Sequence, residues 1–131
     1  MPEEKITIIA KYRLEQAREC LNDALLSINA GSYKNAANRS YYCIFHSMRA
    51  VLALEKFDSK KHSGIIDEFR LKYIKTEIFP KEFSNIIRDA FTVRNKSDYD
   101  DFYLISKSDV IDQTENATVF LTAVETYIRA Q

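Results

Sequence analysis

Glycine and proline are almost missing from this chain, and that scarcity constrains the fold more than any other feature. From Gly31 to Gly64, and again from Pro80 to the carboxyl end, neither residue interrupts the sequence. With 2 Gly and 2 Pro in all, the chain lacks the punctuation a sandwich or barrel needs, since such folds turn every eight to twelve residues or so. Long helices with few breaks are the alternative, and the spacing of apolar residues agrees. Ile6, Ile9, Leu14, Ala17, Leu21, Ala24, Leu25 and Ile28 recur at steps of three and four, which places them on one helical face.

The same reading predicts five helices. The first spans Glu3 to Ala30, with Pro2 suited to its first turn and Gly31 as its left-handed stop. Ser32 is placed to cap a second helix, Tyr33 to Glu55, whose inner stripe is Ala37, Ser40, Tyr41, Ile44, Phe45, Met48, Val51 and Leu52. So short a connection predicts an antiparallel hairpin. After a polar loop, Lys56 to Lys61, a third helix covers His62 to Ile74 with Ile65, Ile66, Phe69 and Tyr73 facing inward. Pro80 opens a fourth, lined by Phe83, Ile87 and Ala90. Asp98 to Ser106 reads as an ordered loop carrying Tyr99, Phe102 and Tyr103. Ser106 and Asp109 resemble a capping box for the fifth helix, which carries Val110, Ala117, Phe120, Leu121, Val124 and Ile128. No repeat or linker divides the sequence, so residues 1–131 are expected to form one all-α domain, an up-and-down bundle of five helices.

Charge limits the functional classes. Lys plus Arg and Asp plus Glu are 19 each, a formal net charge of zero, which argues against a strongly basic nucleic-acid binder but leaves room for a local basic cleft. Met1 to Lys5 carries no signal-peptide pattern, and no run of apolar residues is long enough to span a membrane. Cys20 and Cys43 form no CxxC motif, which fits a reduced, cytoplasmic chain. His46 follows Cys43 by less than one turn, but two ligands do not make a metal site, and neither a metal nor a cofactor is expected. There is no GxGxxG, Walker loop, HExxH or GxSxG.

The chemically informative position is Arg94. The stripe Phe83, Ile87, Ala90 leads by the same steps to Arg94, and a guanidinium on a core-facing stripe needs a partner or must open onto a cleft. It could therefore reach from the last turn to pair with Asp98, or grip a phosphate in a bidentate fashion. Asn95, Asp98 and Tyr99 are the candidates to act with it, a phenol or carboxylate being able to orient a hydroxyl or water. Lys61, His62 and Ser63 at the start of helix three, with Arg39, are candidate phosphate or RNA contacts; helix capping is the plainer role for His62 and Ser63.

Three segments together carry a family resemblance. Ala36-Ala37-Asn38-Arg39-Ser40-Tyr41-Tyr42-Cys43-Ile44-Phe45-His46 resembles the second helix of HEPN (higher eukaryotes and prokaryotes nucleotide-binding) domains. Lys61-His62-Ser63-Gly64-Ile65 is similar to their third-helix start, and Arg94-Asn95-Lys96-Ser97-Asp98-Tyr99 to an Arg-x-x-x-Asp-Tyr variant of their terminal motif. The resemblance implies a bundle that forms a homodimer, with the arginine motifs of two subunits facing one cleft. It also implies a metal-independent ribonuclease toxin held in check by a minimal nucleotidyltransferase antitoxin. The family's catalytic motif is Arg followed four to six residues later by His. Arg94 and Asn95 match it, whereas Tyr99, Asp100 and Asp101 occupy the places of the histidine. In one toxin subgroup the partner modifies a Tyr two residues past that His; the matching residue here is Asp101. Two functions follow: a dimeric module that binds RNA or a nucleotide through Arg94 with weak ribonuclease activity, or a non-catalytic module that pairs with a nucleotidyltransferase subunit.

Overall fold

The computed structural model describes residues 2–131, so Met1 of the amino-terminal stretch considered above lies outside it. It contains helices α1 (Pro2–Asn29), α2 (Tyr33–Ala53), α3 (His62–Phe69), α4 (Glu82–Tyr99) and α5 (Lys107–Arg129), with no strand among the described residues. A π-helical turn, Arg70–Ile74, continues α3.

The α1–α2 turn works as its residues predict. Gly31 has φ +76°, a conformation glycine adopts without steric cost. Around it, Gly31 N–H donates to the Ile28 carbonyl at 3.0 Å and Ser32 N–H to Ser27 at 2.8 Å, closing the free carbonyls at the end of α1. Ser32 stands at the N-cap of α2 but makes no side-chain capping bond, unlike the expectation. Its carbonyl accepts from Ala36 N–H instead. The hairpin is antiparallel: Asn35 bonds Ser27 while Arg49 lies against Arg13, so partners descend α1 as α2 advances.

Helix α2 is the centre of the bundle and packs against all the others. Of its 21 residues, 13 are buried, including the whole expected stripe from Ala37 to Leu52. Such helix burial requires polar groups inside to be paired. Gln113 of α5 does this by donating to the Ala37 carbonyl at 3.0 Å and to Ser40 Oγ at 2.7 Å. Beyond it, α3, α4 and α5 meet on an aromatic cluster in which Phe120 lies 4.8 Å from Phe83 and 5.5 Å from Phe69 between ring centroids, distances at which offset stacking is favourable.

Three expectations are corrected. On α1, Ile9 and Leu25 are exposed and the buried line runs through Ala10, Leu14, Ala17 and Ala24, because small residues let α1 lie close to α2. Helix α4 continues through Asp98 and Tyr99; its inward stripe extends past Arg94 to the buried Ser97, polar positions that apolar spacing alone does not reveal. The π turn was also unforeseen. Lys75 N–H bonds the Arg70 carbonyl at 2.8 Å, an i to i+5 closure that inserts one residue and keeps Tyr73 and Ile74 both buried. Ser106 does cap α5, its hydroxyl accepting from Asp109 N–H at 3.0 Å. Among the described residues, no helix is long and apolar enough to cross a membrane.

Candidate functional site

Arg94 occupies the last turns of α4, where its position on the inward stripe directs it towards α2. Its side chain is 16% exposed. The Cζ atom sits 5.5 Å from the ring centres of both Tyr41 and Tyr42, within range of cation–π attraction. One terminal nitrogen donates to Tyr42 Oη at 3.3 Å and the other, more weakly, to Asn95 Oδ1 at 3.5 Å. Nε lies 3.0 Å from Asp98 Oδ2, an ion pair at helical i,i+4 spacing. That contact has the distance of a hydrogen bond without its angle, and Nε is buried with no proper acceptor. The guanidinium thus combines both sequence alternatives: it pairs with Asp98 and also faces a shared recess with donor capacity unspent.

His62 enters the same recess from the start of α3. Its Nδ1 is 2.8 Å from Tyr41 Oη, and its ring stacks on Phe45 with centroids 4.1 Å apart. Tyr41 is fully buried, and burial pushes its hydroxyl well above the usual tyrosine range, so it stays protonated. Among the described residues Nδ1 is the hydrogen-bond partner of this buried hydroxyl, so we assign the O–H as its donor, which places the imidazole hydrogen on Nε2. Burial first, then the positive charges of Arg94 and Arg49, holds His62 below the ordinary histidine range and favours the neutral ring. The capping role is not realised, since α3 has no side-chain cap bond.

Other candidates divide. Arg39 joins the recess: its Cζ lies 5.4 Å from the Tyr42 ring centre, so Tyr42 carries two guanidinia. Asn95 and Asp98 contact Arg94 directly. Tyr99 does not; it is 77% exposed as the last residue of α4. Lys61 is exposed at the N-cap of α3, and Ser63 lines a separate cavity of about 220 Å³ between α3 and α4. The aromatic wall formed by Tyr41, Tyr42 and Phe45 is not legible as a site in the sequence. Tyr41 and Phe45 read as core, and Tyr42 lies off the core stripe; that outward tyrosine next to an inward one was the available signal.

Further along α2, His46 is drawn down to about 4 by burial and then by Arg49, Arg39, Arg13 and His62. Its Nδ1 is buried without a partner. Both cysteines are buried thiols, Cys43 pushed up to about 12 chiefly by burial, which makes it unreactive. Among the described residues, no group of three or more His, Cys, Asp or Glu is placed to hold a metal ion.

The fold and this recess define a class: helical-bundle proteins that present a half-buried arginine from the end of a late helix against paired tyrosines. The HEPN domain family model matches residues 10–127, and the chain belongs to that family. It is similar to a UPF0332 protein of Thermotoga maritima, with 34% identity over 92% of this chain and 91% of the relative. A Methanocaldococcus jannaschii protein named "Putative toxin MJ0142" is 29% identical over 88% of this chain and 78% of its own length. A second from that organism, "Putative toxin MJ0605", is 34% identical over 66% and 64%.

Proposed function

We propose that this protein is a HEPN toxin that binds RNA at Arg94 and cleaves it slowly without a metal ion. The observation that carries this reading is the half-buried, incompletely bonded guanidinium of Arg94 with the His62 ring in the same recess. Arg94 would grip a phosphate, and Nε2–H of His62 would donate to one of its oxygens. Donors preset where negative charge grows in the transition state account for much of catalysis. No histidine stands at the motif positions after Arg94, so proton transfer lacks its usual carrier and the rate is modest. Relatives that carry a toxin name support the toxin assignment. The chain would act as one cytoplasmic domain, as a homodimer, under control of a minimal nucleotidyltransferase antitoxin.

Mixed RNA incubated with pure protein, with and without chelator, tests this directly. Chelator-resistant cleavage lost in a folded Arg94→Ala variant is the expected result. Cleavage or growth inhibition equal in the two proteins would refute the site.

A second reading, a non-catalytic module that docks on a nucleotidyltransferase subunit, is favoured by the exposed Tyr99, Phe102 and Leu104 at and after the end of α4. Intact RNA after long incubation, together with stable co-purification of such a subunit, would select it.

A further inference from the structure

We propose that the α2 strip Arg39–Tyr42–His46–Arg49, with Arg13 of α1, is a second anionic subsite that lets one single-stranded polynucleotide bind through several phosphates. The proposal rests on the reading that Arg94 holds an RNA phosphate, and extends that contact into a track.

The four α2 residues follow at steps of three, four and three, so they share one helical face. All four are half-buried, on a helix whose remaining faces are covered. At 1.5 Å per residue, Arg39 and Arg49 are separated by about 15 Å along the axis, longer than one phosphate contact requires. The open face of a central helix would ordinarily carry flexible Lys and Glu. This one carries two rings flanked by arginines, a combination that can hold single strands by backbone charge and base stacking.

Its charges are incompletely matched. Arg13 and Arg49 both lie 3.3 Å from a single carboxylate oxygen of Asp58. Among the described residues, Arg39 hydrogen-bonds its neighbour Asn38 and, at 3.9 Å, Cys20 Sγ. Arg94 has Asp98. Four guanidinia thus share two carboxylates at ion-pair distance, with Glu19 and Asp23 of α1 the further acidic groups near Cys20, on a chain whose formal net charge is zero. Between them stands His46, with a buried nitrogen that has no partner and three arginines near enough to oppose its protonation. Bound phosphate would supply the missing negative charge. Tyr42 joins the two subsites, because Arg39 and Arg94 both approach its ring. Rings interleaved with arginines favour nucleic acid over an acidic peptide, which offers nothing to stack.

The test measures anisotropy of a labelled single-stranded RNA about a dozen nucleotides long, and of a dinucleotide, across a salt series. For the long strand, Arg39→Ala and Arg49→Ala should each weaken binding about tenfold and lower the salt slope by about 0.7. The dinucleotide should respond to Arg94→Ala alone. Because Arg49→Ala also frees Asp58, Asp58→Asn provides a second arm: removing the competing carboxylate should tighten binding severalfold. The His46 ring-proton titration, about 4 in the free protein, should move upward in the complex. Loss of binding in Arg94→Ala with Arg39→Ala and Arg49→Ala unchanged overturns the track and spares the Arg94 site. The reverse pattern keeps the strip and removes Arg94 from RNA binding. No binding by the parent protein removes both. Polyglutamate competing as well as RNA would overturn the polynucleotide assignment, and equal binding of single-stranded DNA would widen it to both nucleic acids.

Discussion

The hydroxyl of Tyr41 lies 2.8 Å from Nδ1 of His62, and this bond ties the middle of α2 to the first residue of α3. Tyr41 is wholly buried, so the bond both satisfies a hydroxyl that water cannot reach and fixes which imidazole nitrogen keeps its hydrogen. Tyr41→Phe should cost about 1 kcal/mol of stability, the usual net worth of a hydrogen bond. It should also free the ring to exchange tautomers, weakening the Nε2–H contact proposed for phosphate. Urea unfolding measures the first effect and nitrogen NMR of the His62 ring the second. A variant with parental stability and an unchanged tautomer would contradict this account.

Stability should fall as the solution is acidified below about pH 6.5. Both histidines have folded-state pKa values below the ordinary 6.5, His46 at about 4, with burial the leading cause in each. Above 6.5 both states are neutral at these rings. Below it the unfolded chain takes up protons that the folded chain resists, so folding stability is progressively lost until the folded rings protonate too. Urea unfolding free energies across pH 4 to 7 should decline towards acid, and less steeply in His46→Gln. An identical slope in the variant would exclude His46 as a contributor.

How far the sequence disclosed this site depends on what kind of signal each residue gives. Apolar spacing marked Phe83, Ile87 and Ala90, and it led to Arg94 because the same steps continue there. The spacing failed at Ser97 and Tyr99, where helix α4 goes on through a buried polar residue and an exposed aromatic one, neither of which follows the apolar period. Tyr99 looked like a site residue because it adjoins Asp98 in sequence, yet one helical step turns it out to solvent. His62 shows the opposite case. Its tie to Tyr41 spans 21 positions, and no local pattern reports a contact that tertiary packing creates. Capping is the plainer of its two local roles, beside a phosphate contact at the helix start, and the structure spends Nδ1 on Tyr41 instead.

Gly64 should resist substitution although it lies inside a helix, where alanine is normally better by about 0.5–1 kcal/mol. A methyl group there would run into the Ser59 side chain, with Ser59 Cβ only 2.9 Å away and Oγ nearer still. Ser59 Oγ accepts from Lys61 N–H at 3.2 Å and so shapes the turn leading into His62. Gly64→Ala should therefore destabilise the protein by about 1–3 kcal/mol through overpacking. It should also perturb His62, which thermal unfolding and ring-proton shifts would register together. Stabilisation by the added methyl would mean that Ser59 moves aside freely.

The proposed dimer makes the last prediction. Tyr99, Phe102 and Leu104 are exposed by 77%, 94% and 91% within six residues, Tyr99 at the end of α4 and the other two in the loop after it, which is braced where Asp100 Oδ1 accepts from Phe102 N–H at 3.0 Å. A helix end and braced loop that present three large apolar side chains lose free energy to water that a partner surface would recover, at about 25 cal/mol for each Å² covered. Because the loop begins less than two helical turns after Arg94, pairing there would bring two recesses close to one twofold axis. Light scattering at micromolar concentration should give a dimer, and Phe102→Glu with Leu104→Glu should give a folded monomer with the parent's circular dichroism. A parent protein that is monomeric under these conditions would refute self-pairing and assign the exposed loop to a different partner. A double variant that remains dimeric would move the interface elsewhere, with the exposed Ile8 and Tyr12 of α1 as the next surface to test.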